Sequence, residues 1–376
     1  MMKVPFNNPT LTGSEFNYMR QALATGHLSG NGEFTALCHR FLENQLGGRA
    51  LLTHSCTAAL EMAALLVDIA PGDEVIMPSW TFSSTANAFV LRGAVPVFVD
   101  IRPGTLNIDE KLIAPAITAR TKAICVVHYA GVGAEMDAIS RIADAYGLKV
   151  IEDAAQCLYA QRNGRPLGTF GHFAAFSFHE TKNIIAGEGG ALMVHDPAVF
   201  KRAEVIWEKG TNRTEFKRGE VAKYTWVDLG SSYLPSEITA AFLYAQFEQG
   251  KAITTDRLAQ WHRYFDGLAD VEAKGVLTRP TIPPGCDHNG HIFYVLVQEA
   301  GRRDKVLAEL TRAGVNAIIH YVPLHSAPAG LRFGRTAGPM NHTDDVAARL
   351  IRLPLHPQLT SGQQDFVIAE LGRVLG

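Results

Sequence analysis

A lysine, an acid and a hydroxyl-rich turn stand at the ends of apolar segments in the first half of this chain. Lys182 lies in FSFHETKNIIAGEGGALMV, where an apolar run enters a polar turn and a glycine-rich return leads into the next apolar run. Most lysines are solvated surface groups. Flanking strands that bury this turn would lower the pKa of the amine and free it for imine formation. Asp153 closes the apolar run LKVIEDAAQ. A buried carboxylate needs a partner, because an unpaired buried charge is costly. That partner is either local, as in a helix N-cap or a structural ion pair, or a protonated pyridine nitrogen whose ring then acts as an electron sink. The two residues are 182 − 153 = 29 positions apart, about one strand–loop–strand excursion, so both can enter one crevice from neighbouring strands. Ser177, five residues before the lysine, can bind a phosphate oxygen.

Ser55-Cys56-Thr57 precedes the helical run LEMAALLV. Serine and threonine are good N-caps, and a cap alone would account for them. A helix start also gathers free N–H groups and positive dipole, which suits a phosphate. In MPSWTFSSTANAF, Phe82 or Trp80 either stacks on a flat ligand ring or fills the core. HYVPLH places Tyr321 and His325 near a proline late in the chain, where they read as substrate contacts facing a cleft.

These residues need a frame. DEVIMPS, AVPVFVD, KAICVVHYAG, LKVIEDAA, FAAFSFHE and ALMVHD read as buried strands, and TAALEMAALLVDI, EKLIAPAITAR and EMDAISRIADAYG as the helices between them. Such alternation predicts an α/β fold with a mainly parallel sheet covered on both faces. Ligands of such sheets bind beyond the carboxyl ends of the strands, where Asp153, Ser177, Lys182, His128 and the Ser55 turn all fall. No GxGxxG follows the first strands, which removes the fingerprint of a dinucleotide enzyme. After residue 250 the pattern changes. HIFYVLVQ and AGVNAIIHYVPLH read as strands around the helix DKVLAELTRAG, which sets a large domain over residues 1–250 and a smaller α+β domain over 251–376.

Composition narrows the class. The chain has 376 residues, 47% hydrophobic and 19% charged, with a net charge of −2 and no dense basic run, so neither nucleic acid nor an anionic membrane is an expected partner. Its five cysteines are odd in number and never spaced as CxxC, against a disulfide framework or a zinc site, and no metal is expected. Neither a signal peptide nor a membrane-length apolar stretch is evident, so the expected location is a reducing cytoplasm. The sequons at Asn212 and Asn341 then read as chance matches.

From GHLSGNGEFTALCHRFLE through SCTAALEMAALL, VIEDAAQ, SFHETKN, GEGG and HYVPLH to LPLHP, the chain resembles the DegT/DnrJ/EryC1/StrS sugar aminotransferases, pyridoxal-phosphate (PLP) enzymes of fold type I, nearly end to end. The resemblance implies a large domain with a mainly parallel seven-stranded sheet and a smaller C-terminal domain. It implies that Lys182 holds the cofactor as a Schiff base, that Asp153 pairs with its pyridine nitrogen, and that Gln156 reaches the ring hydroxyl. Phe82 would stack on the ring, while Ser177 and the backbone around Cys56 and Thr57 would hold the phosphate. It implies homodimers with shared active sites. The implied reaction takes L-glutamate and dTDP-4-dehydro-6-deoxy-D-glucose to 2-oxoglutarate and dTDP-4-amino-4,6-dideoxy-D-galactose, for envelope polysaccharide such as enterobacterial common antigen. An aminotransferase for another keto-sugar nucleotide and a non-catalytic PLP-binding regulator are the alternatives. A PLP-dependent sugar dehydratase, with histidine in place of the lysine, is disfavoured by Lys182. Two departures stand out. Cys56 replaces the glycine many members have at the phosphate turn, which a backbone contact tolerates if the local φ is negative. Leu234 stands about where many members place an asparagine that reaches the neighbouring subunit's phosphate, leaving Ser231 or Ser232 to substitute or the contact to be absent.

Overall fold

The computed structural model describes residues 2–376. Its centre is an eight-stranded sheet. In spatial order the strands are Arg49–Thr53, Gly190–Val194, Phe173–Ser177, Lys149–Asp153, Thr121–Val127, Glu74–Pro78, Val95–Val99 and Arg335–Thr336. All run parallel except Gly190–Val194, which is antiparallel to both its neighbours. Side chains alternate between faces along a strand. In Arg49–Thr53, Leu51 enters one core with the helices Cys56–Leu66 and Phe200–Trp207, while Ala50 and Leu52 enter another with Glu33–Leu46 and Glu237–Glu248. Burial on both faces is why these strands read as continuous apolar runs.

Six of the eight strands are those read as apolar runs in the sequence, and Arg49–Thr53, not read as one, brings the number to the seven that the family resemblance implies. The eighth, Arg335–Thr336, comes from the C-terminal part of the chain and extends the sheet at Val95–Val99. It is only two residues long within GRTAGP, so it has no apolar run to announce it. Arg335 secures it with two hydrogen bonds to the buried Glu74, at 3.1 and 3.0 Å.

A second sheet, antiparallel, joins Leu277–Thr278, Tyr294–Val297 and Leu350–Arg352. Helices Gly250–Gly267, Arg303–Ala313 and Ser361–Leu375 pack around it. Val4 is buried in this core and pairs with the segment Gly314–Asn316, so the first residues pack with the C-terminal elements. AGVNAIIHYVPLH is not a strand. It makes only isolated bridges, Val315 with Val4 and Ile318 with Arg352, before the segment turns toward Pro323 and the short helix Leu324–Ser326. This irregular course carries His320 and Tyr321 to the end of the large sheet. No helix among the described residues is long and apolar enough to cross a membrane.

Candidate active site

A cavity of about 460 Å³ opens at the carboxyl ends of the parallel strands, bordered by the segment 320–321 and Arg352. It brings together Cys56, Thr57, Phe82, Asp153, Gln156, Ser177, Lys182 and Tyr321. His325 does not line it. That ring bonds Ser79 Oγ through Nδ1 at 2.8 Å and lies 3.3 Å from Asp344 through Nε2, tying the 320–326 segment to the end of Glu74–Pro78.

Asp153 is the last residue of its strand and is buried. Thr85 Oγ1 donates to its Oδ2 at 2.6 Å and the Ala155 N–H donates to Oδ1 at 3.2 Å. Thr81 Oγ1 lies 2.7 Å from the same Thr85 hydroxyl, so Thr81 donates to Thr85 and the chain ends on the acid. Burial raises the Asp153 carboxyl above its usual range, and the Thr85 hydroxyl, the Ala155 N–H and the Lys182 charge only partly offset this. No cationic side chain among the described residues forms an ion pair with Asp153.

Glu152 precedes it and points to the other face. His128 Nε2 donates to it at 2.8 Å, because Nδ1 of that ring accepts from the Ala134 N–H. The N–H groups of Gly168, Phe170 and Gly171 also donate to the Glu152 carboxylate. Burial would raise Glu152, but His128 and these N–H groups win, and its carboxyl sits below the usual range. Glu152→Gln cannot satisfy four donors. We expect a loss of about 3–5 kcal/mol in urea denaturation at neutral pH. A carboxyl held low stabilises the fold fully above its unfolded value and ceases to as pH falls through its folded value. Wild type therefore gains this part of its stability as pH rises through the window below 4.5, and the glutamine variant does not. Equal midpoints at pH 7 would refute the anchoring role.

Lys182 sits in the loop between Phe173–Ser177 and Gly190–Val194, closed by Phe178 N to Gly189 O, Ala186 N to Phe178 O and Glu180 N to Gly187 O. Gly190 lets that return strand lie against the Ser55 turn, since a Cβ there would meet backbone atoms of Ser55 and Cys56 at 2.4–2.6 Å. The lysine amine has no hydrogen-bond or ion-pair partner among the described residues. Burial lowers its pKa, opposed by Cys56 and Asp153 and assisted by Arg352.

One end of the cavity gathers two helix starts. Ser55 caps Cys56–Leu66 by accepting from the Ala58 N–H at 3.1 Å. Thr57 Oγ1 lies 2.7 Å from Ser84 Oγ, in the first turn of Ser83–Val90. The first N–H groups of a helix have no acceptor inside it, so two positive helix ends meet here beside Ser177. Cys56 is not among the residues with positive φ, so its side chain is accommodated without backbone strain. Phe82, at the start of the second helix, lines the cavity and is 61% exposed, whereas Trp80 is fully buried edge-on to Tyr129 and Tyr321. Gln156 accepts from the Ala130 N–H at 2.6 Å and donates to the Tyr321 hydroxyl at 3.1 Å. Leu234 packs against the core beside Gly30; neither it nor Ser231 or Ser232 lines the cavity.

This set fits a flat, phosphorylated heteroaromatic. An anion site, an exposed aromatic face, a buried acid without a cation and an unpartnered amine converge on one space. Sequence reasoning missed Thr85, Ser84, His291, His320 and Arg352. His179 and Thr181, in the HETKN motif, also line the cavity. Ser84 and Thr85 lie in MPSWTFSSTANAF, His320 opens HYVPLH and LPLHP follows Arg352, so those motifs held a signal for them.

The sequence profile of the DegT/DnrJ/EryC1/StrS aminotransferase family matches residues 9–372. An uncharacterized protein of Methanocaldococcus jannaschii is 33% identical over 365 residues, covering 95% of this chain and 93% of that protein. The aminotransferase TlmJ of Streptoalloteichus hindustanus superposes with a TM-score of 0.90 at 30% identity, over 99% of this chain and 98% of that one. DesV of S. venezuelae, solved in complex with a ketimine intermediate, superposes with a TM-score of 0.89 at 30% identity, over 100% of this chain and 99% of that one. The chain therefore belongs to the DegT/DnrJ/EryC1/StrS aminotransferase family, whose members depend on pyridoxal 5′-phosphate.

Proposed function

We propose that this protein transfers the amino group of L-glutamate to dTDP-4-dehydro-6-deoxy-D-glucose, forming 2-oxoglutarate and dTDP-4-amino-4,6-dideoxy-D-galactose for envelope polysaccharide. The observation that carries the reading as a transaminase is the convergence of the unpartnered Lys182 amine and the cation-free Asp153 on one cavity with the exposed Phe82 ring. The sugar and its nucleotide rest on the motifs THSCTAALEMAALL, FSFHETKN, KGTNR and KYTWVDLGSSYL. When bound, pyridoxal phosphate supplies an electrophilic carbonyl carbon and an electron-withdrawing ring. Lys182 would hold it, and its amine would carry the donor's α-proton as base and then acid, aided by the lowering of its pKa by burial. Asp153 holds a proton on the pyridine nitrogen. A cation beside Asp153 would lower its carboxyl from the raised position that burial gives it. Gln156 steers the ring hydroxyl and Phe82 covers one face of the ring. Ser177 and the N–H groups of Cys56 and Thr57 bind the phosphate. Tyr321 contacts substrate, and His325 acts by fixing the Tyr321 segment to Ser79.

The working unit in this proposal is a cytoplasmic homodimer. Tyr224, Trp226, Val227 and Leu229 are all more than half exposed or at half, with Trp226 at 75%, an apolar patch of the kind a partner covers. The division into domains at 250/251 places the junction at the start of helix Gly250–Gly267.

The visible spectrum tests the whole reading. L-Glutamate should bleach the yellow absorbance of the lysine-bound cofactor, and dTDP-4-dehydro-6-deoxy-D-glucose should restore it. Bleaching without restoration would keep the transaminase and discard this sugar. No yellow form after adding PLP would overturn the role of Lys182.

A further inference from the structure

Arg352 ends the strand Leu350–Arg352, and its side chain forms part of the cavity wall. Its backbone is occupied, exchanging hydrogen bonds with Ile318 at 3.1 and 2.8 Å. Its guanidinium is not. Among the described residues it makes no side-chain hydrogen bond and no ion pair, and its Nε is sealed from solvent without an acceptor. The Phe6 ring centroid lies 4.9 Å from the guanidinium carbon. An arginine carries five donors and is not deprotonated in proteins; here the Nε–H is sealed without an acceptor, and the terminal groups of this partly buried side chain have no protein acceptor among the described residues.

The neighbours do not relieve it. Arg257, which is buried, spends donors on the carbonyls of Gly290 and His291, at 3.1 and 2.8 Å. His291 and His320 are engaged with Asn183 and the Tyr129 hydroxyl. Burial first, and nearby cations second, push both rings well below the usual histidine range, so neither adds a charge of its own. Two carboxylates line the cavity. Asp153 is held by Thr85 and Ala155, and Glu188 is 71% exposed and faces His179 at 3.7 Å. No carboxylate of the described residues thus pairs with the Arg352 guanidinium, which leaves it open to an anion that a ligand brings.

We propose that Arg352 receives a carboxylate of the amino donor, in a bidentate guanidinium–carboxylate pair. This rests on the transaminase reading and names the donor-recognition residue within it. Position favours the donor over the sugar nucleotide's diphosphate, the other anion available. The amino acid's α-carbon must come to the Lys182 amine, and its carboxylate is one bond away. A diphosphate is held off from the reacting carbon by the sugar ring. Arg352 also borders a small recess with Thr181 and His291, which the phosphate-end residues Ser55, Thr57 and Ser84 do not reach.

The test uses full-length enzyme carrying PLP, as wild type, Arg352→Gln and Arg352→Lys, with the two half-reactions followed separately. Retained yellow absorbance and an unchanged melting temperature establish that the variants fold. In Arg352→Gln, the L-glutamate concentration for half-maximal bleaching should rise roughly 10- to 100-fold, the range for losing a charge-assisted hydrogen-bonding pair. Arg352→Lys keeps the charge but loses the fork, so its rise should be smaller. Re-oxidation of the aminated cofactor by the keto-sugar nucleotide should be unchanged in both. A second readout does not need turnover. Maleate, a dicarboxylate without an amine, should bind wild type in calorimetric titration and bind Arg352→Gln at least about tenfold more weakly. Normal bleaching in Arg352→Gln, or equal maleate binding by wild type and variant, overturns the proposal. Slowed sugar re-oxidation with intact bleaching overturns it in favour of the diphosphate. If wild type itself is not bleached by L-glutamate, the donor in the proposed reaction is wrong, and the maleate comparison still decides whether Arg352 binds a carboxylate.

Discussion

Lys182→Ala should bind pyridoxal phosphate reversibly and lose transamination by about 10⁴-fold or more, because one substitution removes both the group that attaches the cofactor and the group that moves the α-proton. Borohydride reduction followed by mass spectrometry checks the first point. Wild type should retain the cofactor mass on the peptide containing Lys182, and the variant should retain none. Turnover within tenfold of wild type would refute the assignment. The unliganded protein gives an independent check on the burial of the amine. A lysine whose folded pKa lies below its unfolded value of 10.5 binds more protons in the unfolded state between the two. Its burial penalty is full below the folded pKa and disappears as pH rises toward 10.5. Alanine carries no such penalty. The variant should therefore melt higher than wild type near neutrality, and the gap should close as the solution is made alkaline.

Asp153→Asn should leave the fold intact and reduce kcat by roughly 10²–10³-fold, the range for removing one electrostatic contact at a reacting centre. The amide still accepts from Thr85. It cannot neutralise a protonated ring nitrogen, so the electron-withdrawing power of the ring falls. Steady-state rates with saturating L-glutamate measure this, and a kcat within threefold of wild type would sink the role. Stability runs in the other direction. Burial raises the Asp153 carboxyl above the ordinary value of 3.8. A raised carboxyl costs nothing below its unfolded pKa and its full penalty above its folded pKa. Unliganded wild type should thus lose stability relative to Asp153→Asn as pH climbs through that window, and added PLP should return the loss to wild type alone. The pairing of lower activity with higher unliganded stability is what a residue kept for chemistry rather than for folding predicts.

Both of these residues were legible because their signals are local. Lys149–Asp153 and Phe173–Ser177 are buried on both faces, so they show as apolar runs, and a polar residue closing such a run marks the strand end where ligands bind. The Ser55 turn was legible for the same reason, as a hydroxyl cap before an unmistakable helix. The two aromatics of the WTF segment could not be told apart. Which of Trp80 and Phe82 meets the ligand depends on how Ser83–Val90 leaves the sheet, and the structure buries the first and opens the second. His325 and Tyr321 looked equivalent in HYVPLH, yet one is turned to Ser79 and the other into the cavity. AGVNAIIHYVPLH shows the reverse error. Its β-branched run suggested a strand, but only two isolated bridges form, Val315 to Val4 and Ile318 to Arg352.

The sequence by itself determined the alternation of strands and helices, the sheet they build, and the lysine, acid and hydroxyl turn that its strand ends carry. Tertiary structure alone decided the rest of the site. Thr85 reaches Asp153 across 68 residues, Gln156 meets Tyr321 across 165, and Arg335 pins an eighth strand to Glu74 across 261. Arg352, the idle cation in the wall, lies in a three-residue strand at the far end of the chain. The physical reason is one of range. Burial periodicity is written in neighbouring residues, because each must face core or solvent as the backbone turns. A contact between distant segments leaves no such record, since it depends on how every intervening element packs.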